Sequence, residues 1–290
     1  MVSRHTETFR IRHDECDTYG VLNNAAYLRL AQEAAWRHST VAGFGPDYYA
    51  GKQRGWLARD TEIEYFRPVR YGEALQVTTS VPSTRRALAR RAYEFRATGS
   101  EVHVAQAHTD WVFFDLAAST PATIPAEIIE ALFGKSTAPA PLKRNPFPEP
   151  PPAPPGAVTW RRKVEWRDID PFGHLNNATY LSYAEEAAIE AGNHYGITHA
   201  RSQEDGIGWV VSRSRIEYLK PAGVGDELEV VTYLGSVKPA SAERHYAIFG
   251  GPAHELLARA SSRWLTVDLA TGRPRRLPAW VKEAFAPNVA

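Results

Sequence analysis

Two aspartates stand in near-identical surroundings. Asp17 opens the run Asp17-Thr18-Tyr19-Gly20-Val21-Leu22-Asn23-Asn24-Ala25-Ala26-Tyr27, and Asp170 opens Asp170-Pro171-Phe172-Gly173-His174-Leu175-Asn176-Asn177-Ala178-Thr179-Tyr180. In each run the acid precedes a glycine by three residues and an asparagine pair by six and seven. Asparagine caps helix N-termini, so the carboxylate falls in a loop feeding the positive end of a helix, where the first N–H groups lack intrahelical partners. A base and hydrogen-bond donors then share one small space. The carboxylate could activate water or attack an electrophilic carbonyl, and the N–H groups could stabilise the resulting oxyanion. The same spacing fits a purely structural Asx-type turn, with glycine supplying the positive φ.

The elements that position these residues follow from a repeat. The offset 170 − 17 = 153 also pairs Glu33 with Glu186, Gly55-Trp56 with Gly208-Trp209, Ile63-Glu64-Tyr65 with Ile216-Glu217-Tyr218, Tyr93 with Tyr246, Trp111 with Trp264 and Pro125 with Pro278. One register held without a gap from residue 17 to residue 125 marks a duplicated domain of roughly 130 residues. The expected organisation is a first domain over 1–134, a proline-rich connector over 135–157 and a second domain over 158–290. Proline has no N–H and a fixed φ, so the connector is expected to be extended and semi-rigid.

Within each copy the pattern predicts a strand over 7–13, a loop through Gly20 and a helix over 25–42. Tyr27, Leu30, Ala31, Ala34, His38 and Val41 form the apolar stripe of that helix, and Gly43 stops it; Tyr180, Tyr183, Ala184, Ala187 and Ala191 repeat the stripe. Four strand-like runs follow, near 56–66, 74–82, 87–98 and 101–116, with counterparts near 209–219, 227–236, 242–250 and 254–269. One strand, one long helix and four strands indicate an α+β domain with an antiparallel sheet, and the alternation of a parallel βαβ fold is absent.

Composition narrows the function classes. With 34 Lys and Arg against 33 Asp and Glu, the formal charge of +1 gives no electrostatic footprint for nucleic acid or a membrane surface. No apolar run approaches the ~18 residues of a membrane span, and the first residues hold no signal-like apolar core. The single cysteine, Cys16, cannot form an internal disulfide, which points to a reducing cytoplasm. His38, His194, His245 and His254 show no metal-ligand spacing, so no metal and no other cofactor is expected.

The motif string resembles the hotdog-fold thioesterases of the 4-hydroxybenzoyl-CoA thioesterase type, whose pattern is Asp-x-x-Gly-(His/Val)-x-Asn-Asn-x-x-Tyr followed by a helix Glu. Asp170, Gly173, His174, Asn176, Asn177, Tyr180 and Glu186 match it in the second copy, and Asp17, Gly20, Val21, Asn23, Asn24, Tyr27 and Glu33 in the first. The strand signature Ile-Glu-Tyr-x-x-Pro at 63–68 and 216–221 is similar to that family too. The resemblance implies two tandem hotdog domains, each a five- or six-stranded antiparallel sheet around a long central helix. It implies that the two units pair within the chain as hotdog homodimers do, with further oligomerisation open. It also implies hydrolysis of an acyl thioester, with Asp170 and Asp17 as general base or nucleophile and backbone N–H near Asn177 and Asn24 as the oxyanion hole.

Other residues carry weaker expectations. His174, matched by Val21 in the first copy, could orient the thioester or the carboxylate, or simply bond the loop backbone. Asn176 and Asn23 are read as helix caps that lock the loop, and Tyr180 and Tyr27 as core residues whose hydroxyls find a polar partner; the resemblance places all four, with Asn177 and Asn24, in the substrate-binding and oxyanion set. Glu33 and Glu186 sit off the apolar stripe and are read as solvated or paired; Cys16, aligned with Ile169, is read as a buried apolar strand residue. The string is also similar to that of plant-type acyl-carrier-protein thioesterases, but Phe172 and Pro221-Ala222 replace residues of their catalytic set. Acyl-CoA is therefore the first substrate class and acyl-carrier protein the second. Arg85, Arg86, Arg90 and Arg91 are candidates to hold CoA phosphates. A non-catalytic acyl-CoA-binding hotdog is the alternative, with a hydratase ranked last.

Overall fold

Residues 3–133, 140–143 and 145–290 are described by a computed structural model, so part of the expected connector lies outside the described residues. The chain divides into two compact units at Pro146/Phe147. In the first unit, β1 (Arg4–Arg10) alternates exposed and half-buried residues, followed by α1 (Asn24–Val41) and α2 (Pro46–Lys52). The long strands β2 (Arg54–Tyr65), β3 (Ala74–Arg85), β4 (Leu88–Ala97) and β5 (His103–Asp115) follow, then the two-residue β6 (Thr120–Pro121), α3 (Ala126–Phe133) and the two-residue β7 (Ala140–Pro141). The long strands order as β1-β3-β4-β5-β2, all neighbours antiparallel. Strict alternation of burial in β3 and β4 directs Leu75, Val77, Val81, Tyr93 and Phe95 to one face. Helix α1 packs on that face through Tyr27, Leu30, Ala31 and Ala34, where the small alanines let helix and sheet approach.

The second unit repeats the plan. It comprises β8 (Val158–Lys163), α4 (Asn177–His194), α5 (His199–Glu204), β9 (Ile207–Tyr218), β10 (Glu227–Lys238), β11 (Ser241–Gly250), β12 (Glu255–Asp268) and α6 (Ala279–Phe285). Its sheet orders as β8-β10-β11-β12-β9, again antiparallel. Each half is thus a long helix packed on a five-stranded antiparallel sheet, the antiparallel α+β plan that the order of elements indicated and the hotdog that the resemblance implied.

Three local expectations change. The first strand runs over 4–10 rather than 7–13, because Ile11 leaves the ladder and His13–Glu15 turn into a 3-10 helix. Val41, placed on the buried stripe by its spacing, is 76% exposed in the last turn of α1. Cys16 is half-buried and pairs with Leu22 in an isolated bridge, not in a strand, and its thiol lies 3.5 Å from the Arg12 carbonyl.

The proline-rich run is held down where it enters the second unit. Phe147 is buried, with the guanidinium groups of Arg215 and Arg259 5.2 and 4.9 Å from its ring centre. Glu149 pairs with Arg259 at 3.0 Å, and Tyr233 donates to the Pro151 carbonyl at 2.6 Å. At Gly156 the carbonyl accepts from Tyr195 Oη and Asn288 Nδ2, and an added Cβ would collide with the Pro287 backbone.

Candidate active site

The sequence from Ile169 to Leu175 closes on itself because those two residues bridge in antiparallel fashion. Inside the closure, Asp170 N–H donates to the His174 carbonyl at 2.8 Å, and Gly173 N–H donates back to the Asp170 carbonyl at 2.9 Å. That reversal needs a left-handed residue, which Gly173 supplies at φ +79°. The Asp170 Oδ1 then accepts from the N–H of Phe172 at 2.9 Å and of His174 at 3.4 Å. Among the described residues Oδ2 takes no hydrogen bond. One carboxylate oxygen therefore fixes the loop while the other does not. Burial pushes the Asp170 pKa above the usual aspartate value, against the opposing pull of the two backbone N–H groups and of His174. The carboxylate is a stronger base than an exposed aspartate.

Helix α4 begins directly after this loop. Asn176 is its N-cap, with Oδ1 accepting from Ala178 N–H at 2.9 Å, while Asn176 N–H donates to the Asp168 carbonyl at 2.9 Å. Tyr218, the aromatic of the Ile-Glu-Tyr strand signature, donates through its hydroxyl to the Asn177 carbonyl at 2.9 Å. The helix start is thus pinned from the sheet, a role the signature itself did not reveal.

The first unit builds the same loop from different side chains. Asp17 Oδ1 accepts from Tyr19 N–H at 2.9 Å and Val21 N–H at 3.3 Å, and Gly20 takes φ +72°. Asn23 caps α1 through Ala25 N–H at 2.9 Å, and Tyr65 donates to the Asn24 carbonyl at 3.1 Å. What this loop lacks is an imidazole, since Val21 stands where His174 stands in the second. The Asx-type turn is present in both loops, and with Oδ2 of Asp170 uncommitted it is compatible with catalysis at the second.

Residues 11–132 and 164–285 each match the family described as the thioesterase-like superfamily, and the two matches differ by 153 at both ends, 164 − 11 and 285 − 132. The chain belongs to the thioesterase-like superfamily. Among relatives, the acyl-CoA thioester hydrolase YbgC of Escherichia coli O6:H1 is 27% identical over 126 residues, covering 43% of this chain and 93% of its own length. A Lactobacillus plantarum structure assigned as an oleoyl thioesterase superposes with a TM-score of 0.77 at 19% identity, covering 91% of this chain and 97% of that one. An acyl-ACP thioesterase structure from Bacteroides thetaiotaomicron gives 0.70 at 18% identity, covering 90% and 97%. At those identities the two structures show a shared fold.

In this thioesterase-superfamily chain the remaining candidates fall in varied places. Tyr27 and Tyr180 are buried under the helix starts, edge-on to Tyr65 at 5.2 Å and Tyr218 at 5.5 Å, and burial raises the pKa of both phenols. Glu33 is exposed and pairs with Arg37 at 2.6 Å one helical turn on; Glu186 is exposed on α4. Burial, followed by the neighbouring Asp17, pushes the Cys16 thiol up, which disfavours the thiolate a nucleophile would need. Among the described residues no group of three or more His, Cys, Asp or Glu is placed to hold a metal, and no helix is long and apolar enough to cross a membrane.

The four arginines do not form a phosphate patch. Arg85 and Arg86 are exposed where β3 turns into β4, but Arg90 is held by both oxygens of Asp110 at 2.7 and 2.8 Å. Arg91 is buried inside the first unit, 2.9 Å from His38 Nδ1 and 3.4 Å from Thr79 Oγ1. Alternation along β4 sends neighbouring arginines to opposite faces, which their adjacency in sequence obscures. A further contact near the loop lies outside the motif: the Tyr183 hydroxyl donates to Asp168 Oδ2 at 2.7 Å, two residues before Asp170.

Proposed function

We propose that the chain hydrolyses acyl thioesters, with acyl-CoA as the first substrate class and acyl-acyl carrier protein as the second, and that Asp170 carries the reaction. The observation that supports this most directly is the division of labour in the Asp170 carboxylate, with Oδ1 tied to the Phe172 and His174 amides and Oδ2 uncommitted at a helix start. The names of the relatives agree with it, since YbgC is an acyl-CoA thioester hydrolase.

In the general-base route Oδ2 takes a proton from water, and the oxygen of that water bonds to the thioester carbonyl carbon. The oxyanion is held by the N–H of Asn177 at the start of α4, and its collapse breaks the C–S bond. The proton held by Asp170 then passes to the departing thiolate, leaving free acid and thiol. In the nucleophilic route Oδ2 bonds to the carbonyl carbon, the thiolate leaves, and water hydrolyses the mixed anhydride. His174 orients the carboxylate and favours its ionised form. Asn176 fixes the helix start as its cap, and Tyr180 supports it from below. Asp17, Asn23, Asn24 and Tyr27 form the parallel set of the first unit, and the absence of an imidazole at Val21 favours a slower or binding-only role there. The lone cysteine suits a reducing cytoplasm.

The test is thiol release from a panel of acyl-CoA and acyl-carrier-protein thioesters by the full chain and by Asp170→Asn. Release of free thiol by the wild type and its loss in the variant are expected. Stoichiometric retention of intact acyl-CoA by the wild type would instead make this a binding protein.

A further inference from the structure

The two loops carry the same backbone bonds but are not braced alike. In the second unit a chain of polar side chains runs from the edge strand to the loop. Arg162 on β8 pairs with Glu165 at 2.9 Å, at the turn before the loop, and the Tyr183 hydroxyl on α4 donates to Asp168 Oδ2 at 2.7 Å. The same Oδ2 accepts from Glu165 N–H at 3.0 Å, and the Asp168 carbonyl accepts from Asn176 N–H at 2.9 Å. Asp168 therefore joins three things: the 3-10 turn before the loop, the cap residue after it, and the middle of the helix.

Subtracting the repeat offset of 153 gives the counterparts in the first unit: Arg162 becomes Phe9, Tyr183 becomes Leu30 and Asp168 becomes Glu15. Glu15 keeps the local bonds, accepting from Arg12 N–H at 2.9 Å and holding Asn23 N–H at its carbonyl at 2.9 Å. Leucine has no hydroxyl, so the tie from the helix to the turn is missing. The duplication supplies its own control, because the local bonds recur and only the long-range brace is new.

A buried hydroxyl costs free energy unless it is hydrogen-bonded. Tyr183 is 5% exposed, packs edge-on against Trp160 at 5.7 Å, and spends its hydroxyl on the residue two before Asp170. A leucine like that of the first copy would fill the helix stripe without that expense. We infer that Tyr183 is a positioning residue for the reaction of the second unit, bracing Asp168 so that the Asp170 loop holds its Oδ1 on the Phe172 and His174 amides and its Oδ2 in a fixed direction. This rests on the reading of Asp170 as the catalytic carboxylate. Tyr183 itself touches neither the reacting atoms nor Asp170. Its effect passes through Asp168, and the phenol stays protonated with its pKa raised to about 12 by burial and by the Asp168 bond.

The experiment compares the full chain with Tyr183→Phe, Asp168→Ala and Asp168→Asn by two readouts. The first is backbone amide exchange at Phe172, His174 and Asn176, with Tyr19, Val21 and Asn23 of the first unit as internal reference. Tyr183→Phe and Asp168→Ala should speed exchange at the three second-unit amides by about tenfold and leave the first-unit amides unchanged, whereas Asp168→Asn, whose amide oxygen still accepts, should stay near wild type. The second is steady-state thiol release, where the same two variants should lower kcat by about tenfold with KM within about twofold, because an aim that matters in the transition state is lost while binding is kept. Unchanged exchange at Phe172, His174 and Asn176 in folded Tyr183→Phe would overturn the proposal whatever the hydrolysis rate. Loss of kcat only in proportion to a loss of folded protein would overturn it as well. If the wild type released thiol from no thioester while the exchange pattern appeared as expected, the brace would be established and the thioesterase reading would fall.

Discussion

The hydroxyl of Tyr218 reaches from the last residue of strand β9 to the backbone carbonyl of Asn177, 2.9 Å away at the first residue of helix α4. Tyr65 and Asn24 repeat the relationship at 3.1 Å. A helix start that frays holds none of its N–H groups in a fixed direction, and a buried phenol on a strand fixes this one at a single point. Tyr218→Phe should therefore lower the unfolding free energy by about 1 kcal/mol, the usual worth of such a bond. It should also lower thiol-release kcat several-fold, more than Tyr65→Phe does, if the second loop does most of the work. Thermal melts and steady-state kinetics on the two single variants check this, and equal kinetic effects would argue for two equivalent sites.

Asp170→Asn keeps the size of the side chain and an oxygen for the Phe172 and His174 amides, but removes the base. We expect kcat to fall at least ~10²-fold, with little change in Tm. Asp17→Asn should cost much less, and the double variant should resemble Asp170→Asn alone. Thiol release measured with a chromogenic disulfide decides the matter, and undiminished turnover in the double variant would end the mechanism.

The pH dependence follows from the environment of Asp170. Burial raises its pKa, so the folded state keeps the proton to higher pH than the unfolded chain does. Activity should rise with pH as this carboxylate ionises, with a midpoint above the ordinary aspartate range. The contribution of the same group to stability should decline as pH rises through that window. A kcat/KM profile with an acidic limb centred at or below the value for an exposed aspartate would contradict the assignment.

His38 has the opposite linkage. Its imidazole is buried beside Arg91 and stacked on His5 at 5.6 Å, and burial first, then Arg91, lowers its pKa from 6.5 to about 4. With Nδ1 accepting from Arg91, Nε2 carries the proton and faces Ser3 Oγ at 3.1 Å. The unfolded chain takes up a proton at this group near pH 6.5 and the folded chain only near 4. The stability this supplies is full above pH 6.5 and drains away as pH falls toward 4. His38→Gln, which can still accept from Arg91, should flatten that part of a Tm-against-pH curve.

Gly156 meets the Pro287 backbone with no room for a methyl group, and its carbonyl anchors both Tyr195 and Asn288. Gly156→Ala must displace backbone rather than a side chain. A loss of about 1–3 kcal/mol, seen as a lowered Tm, is the expected result. Gly51→Ala, in α2 with open space at its Cβ, is the matched control and should be nearly silent or slightly stabilising.

Much of this site could be read from residue order alone, and the reasons are physical. The gap-free repeat exposed the Asp17 and Asp170 loops, because a loop closed by its own backbone needs the same glycine and the same caps wherever it is built. The helix stripe was legible from Tyr27 to His38, but a period fixes a face and not the point where the underlying sheet ends, so Val41 was misplaced. Cys16 looked apolar through its partner Ile169, yet both sit in isolated bridges at the loop mouth. The burial of Arg91 was hidden because a charged residue inside a hotdog declares itself only through partners distant in sequence, here His38 and Thr79. The brace between Tyr183 and Asp168 was hidden likewise, since donor and acceptor lie fifteen positions apart, across loop and helix.

The grip on Phe147 also says where the second half begins. Measured by secondary structure it starts at Val158, and measured by the repeat it starts near the same place. A fragment cut there would take the Phe147 ring from Arg215 and Arg259, strip Glu149 from Arg259, and remove the Pro151 and Gly156 carbonyls that accept from Tyr233 and Asn288. A cut meant to separate the two units belongs before Phe147, because the contacts that hold the proline-rich run to the second unit begin there.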